Sequence, residues 1–197
     1  NTTGLKGSCR SQAAAAGISV ISASSGIIIR GNHFHDIGRT VCHNGTIGQV
    51  GIFAQTPTDM VIEHNQFNTI GRLRNGESGC VTTIFHHDHA IYAENSTNLT
   101  IRRNLCWDVN RGFCVNLKAR TAGTKTAHTA IYNNTFSGKS PTLNPSGQIA
   151  LTDVLDDVKI KNNIFHDPAN GYVVWWASSS ATTGAGGGWF ERLPFPP

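Results

Sequence analysis

Two ionisable side chains of opposite charge, Glu94 and Lys118, end two short apolar segments, Ala90–Glu94 and Cys114–Lys118. A lysine beside a sugar acid can act as a general base, and a nearby arginine, Arg120 or Arg111, can neutralise the sugar carboxylate. This combination would suit a lyase reaction on an acidic polysaccharide. The alternative is an exposed ion pair, which contributes about 0–1 kcal/mol to stability.

A second group of ionisable residues is the run His86-His87-Asp88-His89. In an extended chain His87 and His89 share one side, and His86 and Asp88 share the other. Two histidines and a carboxylate can ligate a metal, but the alternation splits this set and no fourth ligand is evident. We therefore predict a structural or turn role, no metal and no cofactor. The alternative is that His89 acts as a general acid or base.

Glycosidase chemistry needs two carboxyl groups, about 5–5.5 Å apart for retention of configuration or about 6.5–9.5 Å apart for inversion. The acidic residues near these segments are Glu77, Asp88, Glu94 and Asp153. No two of them form an evident pair. The sequence leaves open whether the protein is an enzyme; if it is one, a polysaccharide lyase or a glycoside hydrolase is favoured.

These candidates belong to a chain that repeats one phrase, apolar-x-Ile-x-x-Asn-x-Phe, five times. The copies are Ile27–Phe34, Met60–Phe67, Leu99–Cys106, Thr129–Phe136 and Val158–Phe165. The third copy alone replaces the phenylalanine, with Cys106. A phrase that returns every 29 to 39 residues is typical of a solenoid, in which each repeat buries its apolar side against the next.

The alternation of apolar and polar residues in each phrase predicts a strand that ends at the asparagine and a short strand that begins near the phenylalanine. Asparagines stacked at that corner can bond from coil to coil. A further strand precedes each phrase, at Gly51–Gln55, Ala90–Glu94, Cys114–Lys118, Gln148–Thr152 and Tyr172–Trp176. We predict an all-β solenoid of about six coils with three strands each over residues 18–177, and a short helical cap over residues 1–17.

Three strands per coil, an asparagine stack at the second corner and aliphatic or aromatic stacks inside resemble the right-handed parallel β-helix of the pectate-lyase-like family. The segment His89–Asn104 is similar to the repeat of its secreted bacterial and fungal members. The resemblance implies that polysaccharide binds on the outer face of the first strand of each coil, beneath long loops from the preceding corner.

The predicted outward positions of that strand mix aromatic rings, which stack on the apolar face of a sugar, with hydrogen-bonding groups. The predicted substrate-binding residues are Phe53, Gln55, Tyr92, Asn116, Arg120 and Trp176. The predicted catalytic candidates are Glu94, Lys118 and His89. In the last strand this assignment makes Val173 and Trp175 inward and Trp176 outward.

The five cysteines have no metal-type spacing. Cys42 and Cys80 lie in two long inserts that leave the same corner, which favours a disulfide between them. Cys106 is predicted to be a small core residue, and Cys114 is predicted to face outward. The odd number of cysteines leaves at least one free or intermolecular thiol.

Sequons for N-linked glycosylation begin at Asn1, Asn44, Asn95, Asn98 and Asn133. We expect sugar at the last four; the alternative is that they are incidental turn residues. A net charge of +4 without a run of basic residues does not indicate a nucleic-acid partner, and no apolar segment approaches membrane-spanning length. We expect an extracellular or cell-surface protein, a polysaccharide partner, and no nucleic-acid or membrane partner.

The C-terminal residues 178–188 have the composition of a flexible linker, and the segment Trp189–Pro197 that follows is apolar. We expect this segment to cover the open edge of the last coil. The alternative is that it docks on a neighbouring molecule, so that rods grow end to end into a fibre. The sequence thus predicts a secreted β-helix that binds or processes a polysaccharide, or instead a non-catalytic extracellular structural subunit.

Overall fold

Strands repeat along the chain in threes, and each strand pairs in parallel with the equivalent strand of the next coil. The computed structural model describes residues 15–21, 24–45, 47–83, 87–120, 124–138, 148–153, 155–167 and 173–177. Within these residues there are five coils of three strands and the first strand of a sixth coil, together with one 3-10 turn at Glu77–Gly79. The predicted all-β solenoid is confirmed.

Three parallel sheets form the sides of the coil. Sheet A contains β1 (Ala15–Val20), β4 (Gln49–Gln55), β7 (His89–Glu94), β10 (Val115–Lys118), β13 (Ile149–Thr152) and β16 (Val174–Ala177). Sheet B contains β2 (Ile28–Arg30), β5 (Val61–Glu63), β8 (Thr100–Arg102), β11 (Thr126–Tyr132) and β14 (Leu155–Lys161). Sheet C contains β3 (His33–Ile37), β6 (Gln66–Ile70), β9 (Leu105–Trp107), β12 (Thr135–Ser137) and β15 (Ile164–His166).

The repeated isoleucines and phenylalanines form two continuous stacks in the core. The isoleucine stack of sheet B is Ile29, Ile62, Ile101, Ile131 and Ile160. The stack of sheet C is Phe34, Phe67, Cys106, Phe136 and Phe165. The rings of Phe34 and Phe67 lie parallel with centroids 4.9 Å apart. Burial of each such side chain contributes roughly 1.5–3 kcal/mol, so stacking of successive coils is the main source of stability.

The repeated asparagines form a hydrogen-bonded ladder at the corner between sheets B and C. Asn65 donates from its backbone N–H and its side-chain amide to Asn104 Oδ1, at 3.0 and 3.2 Å. Asn104 repeats the pattern with Asn134, at 3.0 Å in both bonds. The residue before each asparagine has a positive φ, which turns the chain and aims the amide inward.

The β-helix begins earlier in the chain than predicted, while its last described strand ends at Ala177, at the predicted boundary. β1 begins at Ala15, so the last residues of the predicted cap, including Ala16 from the segment expected to be helical, belong to a strand. Residues 1–14 of that cap and the whole segment 178–197 lie outside the described residues.

The register of β16 is shifted by one residue from the prediction. The Cα register pairs Trp176 with Leu151 and Trp175 with Ala150, whereas the prediction placed Trp176 beside Thr152. The role of Trp176 in binding stays a prediction. The run Tyr172–Trp176 is apolar at every position, so no alternation in the sequence fixes which residues face the core.

Two disulfides cross-link the coils. Cys42 and Cys80 are bonded, as predicted, with their Cα atoms 5.5 Å apart. Cys106 is buried in the core, but it is bonded to Cys114, which is also buried. The prediction that Cys114 faces outward is wrong because this residue lies in the corner before β10, where strand alternation does not apply. Cys9 lies outside the described residues.

Candidate functional site

The outer face of sheet A presents two lines of side chains that follow the axis of the coils. One line contains Phe53, Tyr92, Asn116 and Ala150. The other contains Gln55, Glu94, Lys118 and Thr152. The register thus brings together most of the predicted site residues, including the pair Glu94 and Lys118 in adjacent coils.

Glu94 is the centre of a hydrogen-bonded network on this face. Its side chain is 1 % exposed and pairs with Arg120, whose Nη1 lies 3.3 Å from Glu94 Oε2. Gln55 Nε2 donates to the same oxygen at 3.4 Å. No ion pair joins Glu94 to Lys118 in the described part of the chain, so the arginine, which reaches back from the end of the strand, is the partner of this carboxylate.

Tyr92 and Phe53 form an aromatic pair beside this network. Their ring centroids are 5.6 Å apart, the rings are tilted by 50°, and both residues are half-buried. Burial, and then the hydrogen bond to Glu94, raise the pKa of the Tyr92 hydroxyl. The phenol therefore stays neutral and donates to the carboxylate.

His89 and Asn116 lie beneath the face. His89 is 2 % exposed, and its Nδ1 accepts a hydrogen bond from the Phe113 N–H at 3.2 Å. Its Nε2 lies 3.1 Å from the Asn116 amide nitrogen, and its ring contacts Tyr92 at a centroid distance of 5.2 Å. Since both ring nitrogens are engaged, His89 has the surroundings of a positioning residue that supports Tyr92 and Asn116.

The two long inserts beside this face are fixed by a buried ion pair. Asp88 accepts hydrogen bonds from the backbone N–H groups of Gln49 and Arg72, each at 2.8 Å. The Arg72 guanidinium lies 2.9 Å from the same carboxylate, and the two side chains are 2 % and 0 % exposed. The Asp88 carboxylate therefore fixes the two inserts in place, which agrees with the structural role predicted for it.

Arg111 is a second buried arginine in the same loop core. Its guanidinium donates to Thr82 Oγ1 at 2.9 Å and to the His43 carbonyl at 3.1 Å. Burial, and then the neighbouring charge of Arg72, lower its pKa. These contacts hold Arg111 among the inserts, whereas Arg120 lies on the outer face of sheet A.

Arg72 is a structural residue that the sequence did not predict. The one available signal is its place directly after Gly71, at the start of an insert, and many exposed arginines share such a position. Its burial follows from the partner Asp88, which is 16 residues away in sequence and becomes a neighbour only when the insert closes.

The predicted glycosylation positions lie outside the strands. Asn44, Asn98 and Asn133 are exposed, and the last two have positive φ. Asn95 is half-buried, and its side-chain oxygen accepts hydrogen bonds from the Arg120 N–H at 2.9 Å and from Thr124 Oγ1 at 2.8 Å. Glycosylation at these four residues stays a prediction.

Comparison with protein families gives one match: a model described as a right handed beta helix region covers residues 6–184. No curated protein and no solved structure matches the chain. Among the described residues, no helix has the length and apolar character needed to cross a membrane.

Proposed function

The chain belongs to the family of right-handed β-helix proteins, and from this premise we propose that it binds a polysaccharide across the outer face of sheet A. The observation that carries the proposal is the aromatic pair of Phe53 and Tyr92 set against the network of Glu94, Arg120 and Gln55. Aromatic faces stack on sugar rings, and fixed polar groups orient the sugar hydroxyls.

The spacing of this face suits a polymer. Equivalent residues of adjacent coils are about 4.8 Å apart, so a chain lying along the axis meets a new pair of side chains at each coil. Gln55, Lys118 and Thr152 are half-buried polar residues of the second, fourth and fifth coils. A sugar chain can therefore contact several of them at once.

Burial of the candidate catalytic groups favours binding over cleavage. Glu94 is 1 % exposed and held by Arg120, and His89 is 2 % exposed with both ring nitrogens engaged. A general acid or base must reach the reacting atom with a group that can exchange its proton. Lys118 is half-buried and, among the described residues, forms no ion pair, so it is the candidate left for a lyase reaction.

We place the protein outside the cell or on its surface. The support is the pair of disulfides, Cys42–Cys80 and Cys106–Cys114. Such bonds form and persist in oxidising compartments and are rare in the cytosol of most organisms.

The test is affinity electrophoresis of the full chain in gels that contain neutral or acidic polysaccharides, followed by calorimetry with the retarding polymer. We expect Phe53→Ala to weaken binding about tenfold, because it removes one stacking face. Lys159→Ala, an exposed change on sheet B, is the matched control and should leave this affinity unchanged. No retardation by any polymer, or equal affinity of both variants, would overturn the proposal.

An absorbance assay for unsaturated sugar products tests catalysis separately. If the wild type forms unsaturated product and Lys118→Ala does not, the protein is a lyase and Lys118 is its base. Activity that persists in both Lys118→Ala and Glu94→Ala shows that the predicted catalytic residues are wrong. Binding without product identifies a binding protein.

The second candidate function is a structural subunit that assembles end to end. The last three described strands, β14, β15 and β16, keep five apolar residues that pack on the core only partly buried: Leu155, Val158, Ile160, Phe165 and Val174. Such an end can be covered by a second molecule, with Trp189–Pro197 as the docking segment, or by that segment of the same chain. Deletion of residues 189–197 followed by mass measurement and micrographs distinguishes the two, since an unchanged monomer mass eliminates the fibre.

A further inference from the structure

The ends of the sheet B strands carry a line of mainly charged side chains on the outer face. In register these are Arg30, Glu63, Arg102, Tyr132 and Lys161. The residues that follow them, at the turn into the asparagine ladder, are Gly31, His64, Arg103, Asn133 and Asn162. We call these ten residues the basic corner. It holds four arginine or lysine side chains and one carboxylate, a net charge of +3, whereas the whole chain has +4.

Glu63 fixes two of the arginines in place. Arg102 Nε donates to Glu63 Oε2 at 2.6 Å, and Arg30 Nε donates to Oε1 at 2.5 Å. Arg102 Nη1 also donates to the Tyr132 hydroxyl at 2.9 Å. Four successive coils therefore share one network, and its two guanidinium groups are ordered before any ligand arrives, which lowers the entropy cost of binding.

Two further cations of the basic corner are unpaired. Arg103 and Lys161 are exposed, and neither forms an ion pair within the described ranges of the chain. Besides Glu63, the acidic residues in the described strands of sheet B are Asp156 and Asp157, and these are paired with Lys125 and Lys159. The positive charge of the corner is therefore not cancelled by its own sheet.

We propose that the basic corner binds a linear acidic polysaccharide, carboxylated or sulfated, laid along the axis of the coils. The line from Arg30 to Lys161 spans four inter-coil steps, roughly 19 Å, and an extended polyanion can follow it without bending. Arginine binds carboxylate and sulfate groups with two parallel hydrogen bonds. This surface lies on sheet B, so the inference is independent of the function proposed for sheet A.

The choice of a glycan over a nucleic acid follows from two observations. The two disulfides favour an oxidising compartment, where acidic glycans are the common extended polyanions. Tyr132 is the one phenylalanine, tyrosine or tryptophan of the corner, and its ring is half-buried and bonded to Arg102. Proteins that bind single-stranded nucleic acids stack successive bases on several such rings.

The test compares three double variants of the full chain, treated to remove N-linked sugar because Asn133 lies in the basic corner. Arg103→Ala/Lys161→Ala removes two unpaired charges of the corner. Lys125→Ala/Lys159→Ala removes two exposed charges outside the corner and outside the face of sheet A, and is the matched control. Lys118→Ala/Arg120→Ala removes two charges of sheet A and reports binding on that face. Calorimetry uses a heparin oligosaccharide and an oligogalacturonate as probes, a dextran oligosaccharide as the neutral comparison, and a single-stranded oligonucleotide as the competing polyanion.

We expect both acidic probes to bind, dextran to bind more weakly, and the corner variant to lose roughly tenfold or more in affinity at low salt, with a shallower salt dependence. The matched control, Lys125→Ala/Lys159→Ala, should keep the wild-type affinity for the acidic probes. If the corner variant binds the acidic probes with wild-type affinity and only the sheet A variant loses affinity, the inference about the basic corner is overturned. The proposal for sheet A is then unaffected. Tighter binding of the oligonucleotide than of either glycan overturns the assigned ligand class.

Thermal melting distinguishes a loss of binding groups from unfolding of the variant. Arg103 and Lys161 are exposed, so the corner variant should melt within a few degrees of the wild type. If it melts much lower, Arg103→Gln and Lys161→Gln replace the alanines, and the same affinity criteria apply.

Discussion

The sulfur of Cys106 is bonded to that of Cys114, and Cys106 stands where the other four repeats place a phenylalanine. The smaller side chain leaves room in the core for the second sulfur. The bond joins β9 to the residue before β10 and fixes the corner that leads into the site face of sheet A.

We expect loss of this disulfide to destabilise the protein less than loss of the other one. The sequence separations are 8 residues for Cys106–Cys114 and 38 for Cys42–Cys80. Loop-closure entropy then predicts about 2.5 kcal/mol for the first bond and about 4 kcal/mol for the second. Urea unfolding of the two double alanine variants measures both values. A larger loss of stability from removing Cys106–Cys114 than from removing Cys42–Cys80, or no loss from removing either, would contradict these disulfides.

The asparagine ladder should depend on its central member. Asn104 is 3 % exposed; its oxygen accepts two bonds from Asn65, and its amide donates to the Ile62 carbonyl at 2.9 Å and to Asn134. Asn104→Ala leaves several buried groups unpaired and should cost about 2–4 kcal/mol.

The matched control is Asn32→Ala, at the first position of the same ladder. Asn32 is exposed, so water can replace its partners, and the loss should stay below about 1 kcal/mol. Chemical denaturation of the two variants provides the comparison. Equal losses would show that the ladder does not stabilise the interior of the coil.

Because the ion pair of Arg72 and Asp88 is buried, we expect an isosteric substitution of the carboxylate to lower the stability of the protein strongly. Asp88→Asn keeps the size of the side chain but leaves the Arg72 charge buried without its counter-ion, which should cost about 3–5 kcal/mol. Asp36→Asn, an exposed change of the same type, should stay within about 0.5 kcal/mol. Thermal and urea unfolding measure both, and similar losses would argue against a buried ion pair.

The fold could be predicted from the sequence because every repeat carries the same local pattern. Ile29, Ile62 and Ile101 occupy the same position in their repeats, so they lie next to one another when the coils stack. The disulfide between Cys42 and Cys80 also followed from this logic, since both inserts leave the same corner.

The parts that sequence reasoning missed are those that no repeat specifies. Register placed Glu94 opposite Lys118, but the ion pair goes to Arg120, which lies beyond the strand and reaches back. Cys114 lies in a corner, and Trp176 lies in a run without alternation, so the period of two could not orient either residue.

Glu63 should make stability depend on pH in the acidic range. Its pKa is lowered chiefly by the hydrogen bond from Arg102, and further by Arg30. A carboxyl with a lowered pKa in the folded state stabilises the protein above its unfolded pKa, about 4.3, and this contribution is lost as the pH falls through the folded value. Melting temperatures of the wild type and Glu63→Gln should therefore converge as the pH falls below about 4. Parallel curves down to the lowest pH would show that Glu63 is not held by the arginines.

Tyr92 should remain protonated at pH values where an ordinary tyrosine ionises. Burial and the hydrogen bond to Glu94 raise its pKa. A phenol with a raised pKa contributes stability that is complete below the unfolded pKa, about 10, and is lost as the pH rises above it. The tyrosinate absorbance of folded Tyr92→Phe should therefore match that of the wild type up to pH about 11, and its melting temperature should fall less steeply over the alkaline range. A smaller absorbance change in the variant near pH 10 would mean that Tyr92 ionises normally and that the network around Glu94 is open to water.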